Sequence, residues 1–319
     1  MSILLTGSAG FIGFHLANNL SKKRKIVGID NINSYYSQKL KLSRIKILKK
    51  NKNFIFFKVD IRNLKKLDYI VKKYKVREII HLAAQAGVRF SLKKPKEYLN
   101  TNVIGFFNIL ECCKNNNIKF LMYASSSSVY GLNNHFPLKE KYNTDFPIQF
   151  YAATKKSNEV MAHSYSSLYG IKTIGLRFFT VYGPWGRPDM AYFSFAKKIL
   201  NKQPITVFNN GNHSRDFTYV DDAIDMVKKI YLNKNKIKSY EIFNISSGRK
   251  VDLKAFIKEL FHQFGKETVI NYTEKQLGDL QDTLSSKKKL KKIIKSNKNT
   301  NYKLGLKKFV KWFLSYKHE

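Results

Sequence analysis

Short apolar runs alternate with longer amphipathic segments along the first part of the chain. The runs are rich in Ile, Val, Leu and Phe and are bounded by polar residues, which is typical of buried strands. The predicted strands are residues 3–5, 26–30, 54–59, 78–84, 120–124 and 173–177. Helices are predicted between them, including about 96–114 and about 151–168. Strands that alternate with helices form parallel sheets covered on both faces, so we predict an α/β fold with a doubly wound parallel sheet.

The pattern changes after Arg177. Residues 178–189 are punctuated by Gly and Pro, which is typical of a binding loop. Helix-like and short strand-like pieces follow, including 214–220, and an amphipathic helix is predicted at 306–315. This region therefore differs in organisation from the regular alternation that precedes it.

A chain of 319 residues is long enough to bury a large core and to carry a second lobe. We predict that residues 1–177 form the α/β domain and that segments at about 216–246 return to it. Residues 178–319 are predicted to form a smaller mixed α/β lobe built from discontinuous segments.

Composition excludes some classes of protein. Hydrophobic residues make up 43% of the chain, and no run approaches the ~20 apolar residues of a membrane span. The start leads directly into the first strand without a basic segment, so no signal peptide is predicted. The adjacent Cys112 and Cys113 fit reduced packing residues better than a disulfide framework. We expect a cytoplasmic protein without membrane insertion.

The net charge is +37, from 59 basic and 22 acidic residues. A surface for nucleic acid or for membranes is one explanation. Lysines are spread along the whole chain, however, and no nucleic-acid-binding motif accompanies them. A lysine-biased composition is the favoured explanation, and no nucleic-acid partner is predicted. A basic field still attracts anionic ligands such as nucleotides.

A glycine-rich turn joins the first strand to the first helix. Gly7, Gly10 and Gly13 permit a tight turn and the close approach of a pyrophosphate to the N–H groups at the start of the helix. Asp30 ends the next strand 20 residues past Gly10, where a carboxylate binds a ribose 2′-hydroxyl. The same carboxylate repels a 2′-phosphate. The turn therefore predicts a dinucleotide site that prefers NAD to NADP.

A tyrosine and a lysine offer acid–base chemistry. Tyr151 and Lys155 share one face of a predicted helix. A free phenol titrates near ~10, and a nearby ammonium lowers its pKa. This spacing also arises by chance in a lysine-rich chain, so two unrelated surface residues are the alternative. The serine run 125–128 adds a hydroxyl partner at the end of a strand. His81 lies within an apolar strand and is expected to be structural; no metal site is predicted.

These features together resemble the extended short-chain dehydrogenase/reductase family. The glycine spacing, Asp60-Ile61-Arg62, the serine run with Val129-Tyr130-Gly131, and the Tyr–Lys pair stand in the family's order over nearly the whole chain. Within that family the chain resembles the UDP-glucuronate 4-epimerases in residues 33–36, 81–89 and 177–190. It departs from them where Leu277 replaces a usual proline and Ser286 a usual aspartate.

The resemblance implies an NAD-binding Rossmann domain, a nucleotide-sugar-binding lobe and an isomerase that inverts C4 of UDP-glucuronate. Tyr151 is the implied base for the 4-hydroxyl proton, Lys155 lowers its pKa and bonds the nicotinamide ribose, and Ser126 bonds the same hydroxyl. Hydride passes from C4 to bound NAD and returns to the other face of a 4-keto sugar, giving UDP-galacturonate. The implied role is the supply of polysaccharide precursors, and the implied assembly is a homodimer formed through the helices at about 96–114 and 151–168.

The resemblance also assigns binding residues. Cofactor contacts are expected at Gly7, Gly10, Phe11, Ile12, Gly13, Asp30, Asp60, Ile61, Ala83, Ala84, Asn102, Tyr151 and Lys155. Substrate contacts are expected at Ser127, Ser128, Thr180, Arg187, Arg215 and Arg89. Arg215 is expected to bind the diphosphate, and Arg187 to hold the sugar carboxylate bidentately and so prevent loss of CO2. Left unpaired by a neutral CH2OH group, Arg187 would also select uronate over hexose.

Other activities on the same scaffold remain alternatives. Another UDP-hexose, a UDP-N-acetylhexosamine or its uronate fits the same motifs, as does decarboxylation of UDP-glucuronate. Related decarboxylases and dehydratases carry a carboxylate just before Val-Tyr-Gly, where this chain has Ser128. An NAD-sensing scaffold protein is disfavoured because Ser126, Tyr151 and Lys155 are all retained. A nucleic-acid binder is motivated by charge alone.

Overall fold

The computed structural model describes residues 2–275 and 281–316. Within these ranges the strands are β1 (Ser2–Thr6), β2 (Lys25–Asp30), β3 (Phe54–Lys58), β4 (Val76–His81), β5 (Phe120–Ser126), β6 (Lys172–Phe178), β7 (Thr180–Tyr182), β8 (Ile205–Phe208), β9 (Ser214–Arg215), β10 (Phe217–Tyr219), β11 (Tyr240–Ile245), β12 (Val251–Asp252) and β13 (Ile270–Thr273). The α-helices are α1 (Phe11–Leu20), α2 (Gln38–Leu48), α3 (Leu64–Lys73), α4 (Val88–Lys93), α5 (Pro95–Tyr98), α6 (Gly105–Asn115), α7 (Phe150–Tyr169), α8 (Ala191–Leu200), α9 (Val220–Leu232), α10 (Leu253–Phe264), α11 (Lys288–Ile293) and α12 (Tyr302–Ser315).

Seven parallel strands form the central sheet in the order β3-β2-β1-β4-β5-β6-β11. Successive strands are added on one side of β1 as far as β3, and on its other side from β4 onwards. Ligands of doubly wound sheets bind in the crevice at the carboxyl ends of the strands where this reversal occurs. The predicted α/β fold with a Rossmann-type sheet is confirmed.

Alternate side chains of the central strands enter two apolar layers, one on each face of the sheet. In β1, Ile3 and Leu5 belong to the layer that contains α1 and α9, whereas Leu4 belongs to the layer that contains α3 and α6. Strands buried on both faces appear in a sequence as continuous apolar runs. Cys112 and Cys113 are buried in the second layer as free thiols, as predicted.

Several element boundaries differ from the predicted ones. β5 extends to Ser126, so the serine run is shared between a strand and the 3-10 turn Ser127–Tyr130. The single helix predicted at about 96–114 is interrupted, because a π-helical turn, Leu99–Ile104, separates α5 from α6. The last helix begins at Tyr302, since the Asn301 side chain caps it by accepting from the Lys303 N–H.

The segment that follows strands β7–β10 packs on the seven-stranded sheet and its helices. Helix α9 packs against α1, and β11 adds to the sheet beside β6, close to the predicted return at about 216–246. Trp185 lies 5.5 Å from Phe14 of α1 and 5.3 Å from Trp312 of α12, measured between ring centroids. The two parts share this apolar core, so our division of the chain at residue 177 stays a prediction. No helix in the described chain is both long and apolar enough to cross a membrane.

Candidate active site

A cavity opens at the carboxyl ends of β1, β2, β4 and β5, and the loop after β7 closes one side of it. The predicted residues that line it are Gly7, Gly10, Phe11, Ile12, Gly13, Asp30, Ile61, Ala83, Ala84, Ser126, Tyr151, Lys155 and Arg187. The predicted residues that lie outside its lining are Asp60, Asn102, Ser127, Ser128, Thr180, Arg89 and Arg215. The fold thus brings the glycine turn, the Tyr–Lys pair and one arginine of the second lobe to a common space.

The glycine turn leaves no room for side chains. Gly7 has a φ of +72°, and a Cβ there would lie 2.7 Å from the backbone N of Ala83. A Cβ on Gly13 would lie 2.0 Å from the Gly7 carbonyl oxygen. The N-cap of α1 is Gly10, so no side chain caps the first N–H groups of this ten-residue helix. These features fit the pyrophosphate of a dinucleotide.

Asp30 lies at the end of β2, where the sequence placed a ribose-binding carboxylate. Its Oδ2 accepts from the Ala9 N–H at 3.1 Å, and its Oδ1 accepts from the Ile32 N–H at 2.9 Å. Burial raises the pKa of Asp30, and the backbone N–H groups together with nearby cations oppose that rise. The carboxylate therefore faces the cavity while it is held against the glycine turn.

Two cations beside Asp30 were missed by sequence reasoning. The Nζ of Lys41 lies 2.6 Å from both the backbone oxygen and the Oδ1 of Asn33. Arg44 is fully buried and donates to the carbonyls of Ala9 (2.7 Å) and Trp185 (2.7 Å), so it links the glycine turn to the second lobe. Because protein acceptors engage both cations, the donor set fits NAD. In so lysine-rich a chain, no feature of the sequence distinguishes these two residues from their basic neighbours on α2.

Two of the predicted cofactor-binding residues, Asp60 and Ile61, occupy different places. Ile61 lines the cavity, whereas Asp60 accepts from Arg62 Nη2 at 2.9 Å and from Asn31 Nδ2 at 3.0 Å. Asp60 therefore acts first as the anchor of its own loop. Its contact with the cofactor stays a prediction.

Asn102 supports the cavity from behind. Its Oδ1 accepts from the Gln85 N–H at 2.8 Å, and its Nδ2 donates to the Gln85 carbonyl at 3.0 Å and to Thr154 Oγ1 at 3.0 Å. These bonds fix the loop that carries Ala83 and Ala84 against α7. Protein partners thus engage the polar atoms of this side chain, so Asn102 positions the loop, and its implied direct contact with the cofactor stays a prediction.

Lys155 lies one helical turn after Tyr151 on the face of α7 that meets β5. Its Nζ donates to the Ala124 carbonyl at 2.9 Å. Burial lowers the pKa of Lys155 to about 8, and the carboxylate of Glu159 opposes that fall. His81 behind it is structural, as predicted: its Nδ1 lies 2.8 Å from Thr6 Oγ1, and burial, helped by the charge of Lys155, lowers the pKa of His81 to about 3.

The influences on the pKa of Tyr151 include Arg187, which the sequence did not indicate for this role. Burial raises this pKa, and the influences that oppose the rise are a hydrogen bond with Ser126 and the positive charge of Arg187. The Lys155 ammonium donates to a backbone carbonyl of β5, and its predicted lowering of the Tyr151 pKa stays a prediction. Arg187, in the loop after β7, is a second cation that acts on the phenol.

Arg187 is paired within its own loop. Its Nε donates to Asp189 Oδ1 at 3.0 Å and its Nη2 donates to Oδ2, while the Tyr35 hydroxyl donates to Oδ2 at 3.0 Å. The side chains of Arg187 and Asp189 are 22% and 25% exposed. The expectation of a guanidinium left unpaired by a neutral sugar is therefore wrong, because Asp189, only two residues away, is already its hydrogen-bonded partner.

The other predicted sugar-side hydroxyls lie just outside the lining. Ser126 Oγ accepts from the Ser128 N–H at 3.2 Å and lies 3.2 Å from Ser128 Oγ, so the 3-10 turn that begins at Ser127 is tied to Ser126. Thr180 begins β7 and pairs with Phe217 of β10. The contacts of these hydroxyls with a substrate stay predictions.

Arg89 and Arg215 are both engaged by protein groups. The Arg89 guanidinium lies over the ring of Phe208, with its Cζ 4.3 Å from the ring centroid. Arg215 Nη1 donates to the carbonyl of Gln281 at 2.7 Å. The predicted contact of Arg215 with the diphosphate and that of Arg89 with the substrate stay predictions.

Of the two departures from the family pattern, Leu277 lies outside the described residues. Ser286 is buried, and its N–H donates to the Leu138 carbonyl at 2.8 Å. At this position the serine packs inside the protein.

The chain is similar to known proteins over its full length. A family model described as the NAD dependent epimerase/dehydratase family matches residues 3–246. Protein CapI of Staphylococcus aureus is 46% identical, over 99% of both chains. The probable UDP-glucuronate 4-epimerase of Rhizobium meliloti is 38% identical, over 98% of this chain and 97% of the relative.

Solved structures show the same similarity. UDP-glucuronic acid 4-epimerase from Bacillus cereus, in complex with UDP-glucuronic acid and NAD, superposes with a TM-score of 0.91 at 31% identity, over 99% of both chains. UDP-N-acetylglucosamine 4-epimerase from Methanobrevibacter ruminantium gives a TM-score of 0.88 at 28% identity, over 98% of both chains. A family model that covers most of the sequence, with relatives aligned from end to end, establishes that this chain belongs to the NAD-dependent epimerase/dehydratase family.

Proposed function

We propose that this enzyme inverts C4 of UDP-glucuronate and gives UDP-galacturonate through a transient 4-keto sugar. The observation that carries the proposal is that Tyr151 and Arg187 line the same cavity. A proton-transfer group and a carboxylate-binding group then face one sugar. Support also comes from the relatives, since the Bacillus cereus enzyme was solved with UDP-glucuronic acid and NAD.

Side chains of this protein transfer the proton of the 4-hydroxyl group. Bound NAD supplies a hydride acceptor and then a hydride donor at this carbon. Tyr151 takes the proton of the 4-hydroxyl and returns it after the sugar has turned, and Ser126 hydrogen-bonds the phenol. Because burial raises the pKa of Tyr151, the phenolate needs positive charge nearby. Arg187 supplies part of that charge, and Lys155 is placed one turn away to hold the nicotinamide ribose.

Selectivity for a uronate arises when the sugar carboxylate replaces Asp189 as the partner of Arg187. The guanidinium is bidentate to Asp189, so an incoming sugar carboxylate has to share or replace that partner. A carboxylate offers the same fork geometry and charge as Asp189, whereas a neutral CH2OH group does not. Partial exposure of both side chains makes such an exchange feasible, because water solvates the displaced Asp189.

Decarboxylation is not favoured on the same scaffold. The turn Ser127–Tyr130 carries hydroxyls and no carboxylate, and Ser128 is tied to Ser126. Acid–base chemistry at C5 therefore has no evident agent in this turn.

We also propose a homodimer. Exposed apolar side chains are found on the π-helical turn, α6 and α7: Ile104 (47% exposed), Phe107 (43%), Val160 (58%) and Leu168 (70%). Apolar patches on neighbouring helices favour helix–helix association. Sedimentation of the purified protein tests this, and Leu168→Lys should shift it toward monomer. A cytoplasmic location belongs to the same proposal, supported by the two buried free thiols.

The substrate is tested with a panel of UDP-glucuronate, UDP-glucose and UDP-N-acetylglucosamine, followed by NMR for C4 inversion and for release of CO2. We expect the highest kcat/KM for UDP-glucuronate, with little CO2. Equal or better use of UDP-glucose would overturn the uronate assignment. Release of CO2 as the main reaction would identify a decarboxylase.

A further inference from the structure

A buried ion pair lies behind the catalytic helix. Glu159 of α7 and Arg177 of β6 are joined by two bonds, Nε to Oε1 at 2.8 Å and Nη2 to Oε2 at 2.8 Å. Both side chains are only 3% exposed. Burial of two charges is costly unless geometry and further hydrogen bonds compensate. The pair lies on the wall of a second cavity, on the outer side of α7, and outside the residues that line the main cavity.

The carboxylate of Glu159 also holds the end of β5. Its Oε1 accepts from Ser125 Oγ at 2.6 Å. Ser125 lies between Ala124, whose carbonyl accepts from Lys155, and Ser126, which lines the main cavity together with Tyr151. Side chains alternate along a strand, so Ser125 points away from the face that Ser126 presents. One carboxylate therefore fixes the strand residue between the one that binds Lys155 and the one that shares the cavity with Tyr151.

Glu159 is also a charged neighbour of Lys155. It stands four residues later on the same helix, where side chains meet. Its negative charge opposes the effect of burial on the Lys155 ammonium. Both Lys155 and Arg177 are buried, and Glu159 is the carboxylate that acts on each of them.

We propose that Glu159 and Arg177 are positioning residues for catalysis, which hold the C-terminal end of β5 and place a carboxylate one helical turn after Lys155. Neither residue touches the reacting atoms. Other titratable or charged groups that face the pair, Lys155 or the second cavity are His81, Tyr123, Tyr130, Glu140, Tyr142, Asp145, Tyr151, Lys156, His163 and Tyr240.

None of these neighbours replaces the carboxylate. Glu140 contributes its backbone carbonyl to Arg177 Nη1 at 3.2 Å, and its side-chain Oε1 accepts from the Asn244 N–H. Tyr240 donates to the backbone carbonyl of Glu159 at 3.3 Å. Burial raises the pKa of Tyr123 well above its usual value, so that phenol stays neutral. The negative charge behind Lys155 is thus that of Glu159.

The test is the pH dependence of kcat in Glu159→Gln. The amide keeps the size of the side chain and removes its charge, so the Lys155 ammonium should lose its proton at lower pH. We expect the alkaline limb of the profile to move down by about one pH unit, which lowers kcat by up to about tenfold on the alkaline side and by about twofold at neutral pH. NAD released on denaturation and the thermal midpoint are measured in parallel, so that loss of cofactor or of folding is recognised.

Asp145→Asn is the matched control. It makes the same acid-to-amide change beside α7, where Asp145 pairs with Lys156 at 3.0 Å and is 63% exposed. Its alkaline limb should coincide with that of the parent. If Glu159→Gln lowers kcat but leaves the limb in place, or if the control moves it equally, the proposal is wrong. If Glu159→Gln fails to fold, Glu159→Asp replaces it, because this variant moves the charge back by one methylene. It should shift the alkaline limb in the same direction by a smaller amount. An unmoved limb overturns the proposal.

This inference rests on C4 epimerisation by bound NAD and not on the identity of the sugar. The profiles are measured with whichever of UDP-glucuronate and UDP-glucose the parent turns over faster. Failure of the parent on UDP-glucuronate contradicts the proposed substrate. The position of the limb in Glu159→Gln, relative to the parent on the same sugar, then still decides the role of the pair.

Discussion

Two arginine–carboxylate pairs flank the cavity, and they are built in opposite ways. Arg177 and Glu159 come from a strand and a helix and are 3% exposed, whereas Arg187 and Asp189 come from one loop and are 22% and 25% exposed. Both have the same two-bond fork. A buried pair cannot lose a partner cheaply, but a partly exposed one can exchange it. The core side of the cavity is therefore fixed, and the loop side is open to a ligand.

The largest expected effect separates chemistry from recognition. Tyr151→Phe should lower kcat by about 10²- to 10⁴-fold, because the phenol that transfers the proton is gone while the cavity walls remain. The preference among UDP-sugars in binding assays should be unchanged, and NAD should still be released on denaturation. Near-normal turnover would show that Tyr151 is not the base.

The second prediction compares how much the Arg177–Glu159 and Arg187–Asp189 pairs contribute to the free energy of unfolding. Arg177→Met leaves the buried carboxylate of Glu159 without its cation, so we expect the free energy of unfolding to fall by about 3–5 kcal/mol. Arg187→Ala removes the corresponding arginine of the loop pair and should cost about 1 kcal/mol or less. Urea unfolding of the two variants gives both values. Equal losses would remove the distinction between the two sides.

The role of the Arg187–Asp189 pair is tested by the selectivity between UDP-glucuronate and UDP-glucose. Arg187→Ala should reduce the advantage of UDP-glucuronate over UDP-glucose in kcat/KM by about tenfold or more, since one charge-assisted contact to the carboxylate is lost. Release of CO2 should rise at the same time. Asp189→Asn is the control, because it frees the guanidinium and should preserve or increase the advantage. An unchanged ratio in Arg187→Ala would place the carboxylate elsewhere.

The last prediction concerns the loss of stability at acid pH that arises from His15, which lies beneath the loop after β7. His15 Nε2 donates to the Pro184 carbonyl at 2.9 Å, and burial lowers the pKa of His15 to about 4 from 6.5. Between these values the unfolded chain binds a proton that the folded chain refuses, so stability falls as the pH drops from 6.5 toward 4. In His15→Gln, urea unfolding over this range should show a shallower decline. A decline as steep as the parent's would assign the sensitivity to other groups.

Sequence reasoning succeeded where function depends on local spacing. The glycine turn needs three small residues at fixed intervals, and Asp30 has to end the following strand. Tyr151 and Lys155 meet because a helix brings residues four apart together. The residues that it missed, such as Arg44 and Glu159, are charges whose partners lie on other elements.

The sequence by itself determined the fold class, the glycine turn after β1 and the spacing of Tyr151 and Lys155 on one helix, because strand and helix periods impose those patterns on consecutive residues. Only the tertiary structure decided which charges meet. Arg44 reaches a carbonyl 141 residues away, and Arg177 reaches a carboxylate 18 residues away across a strand–helix contact. Such pairings follow from how layers pack, and in a chain with 59 basic residues no spacing rule singles out the few that are buried.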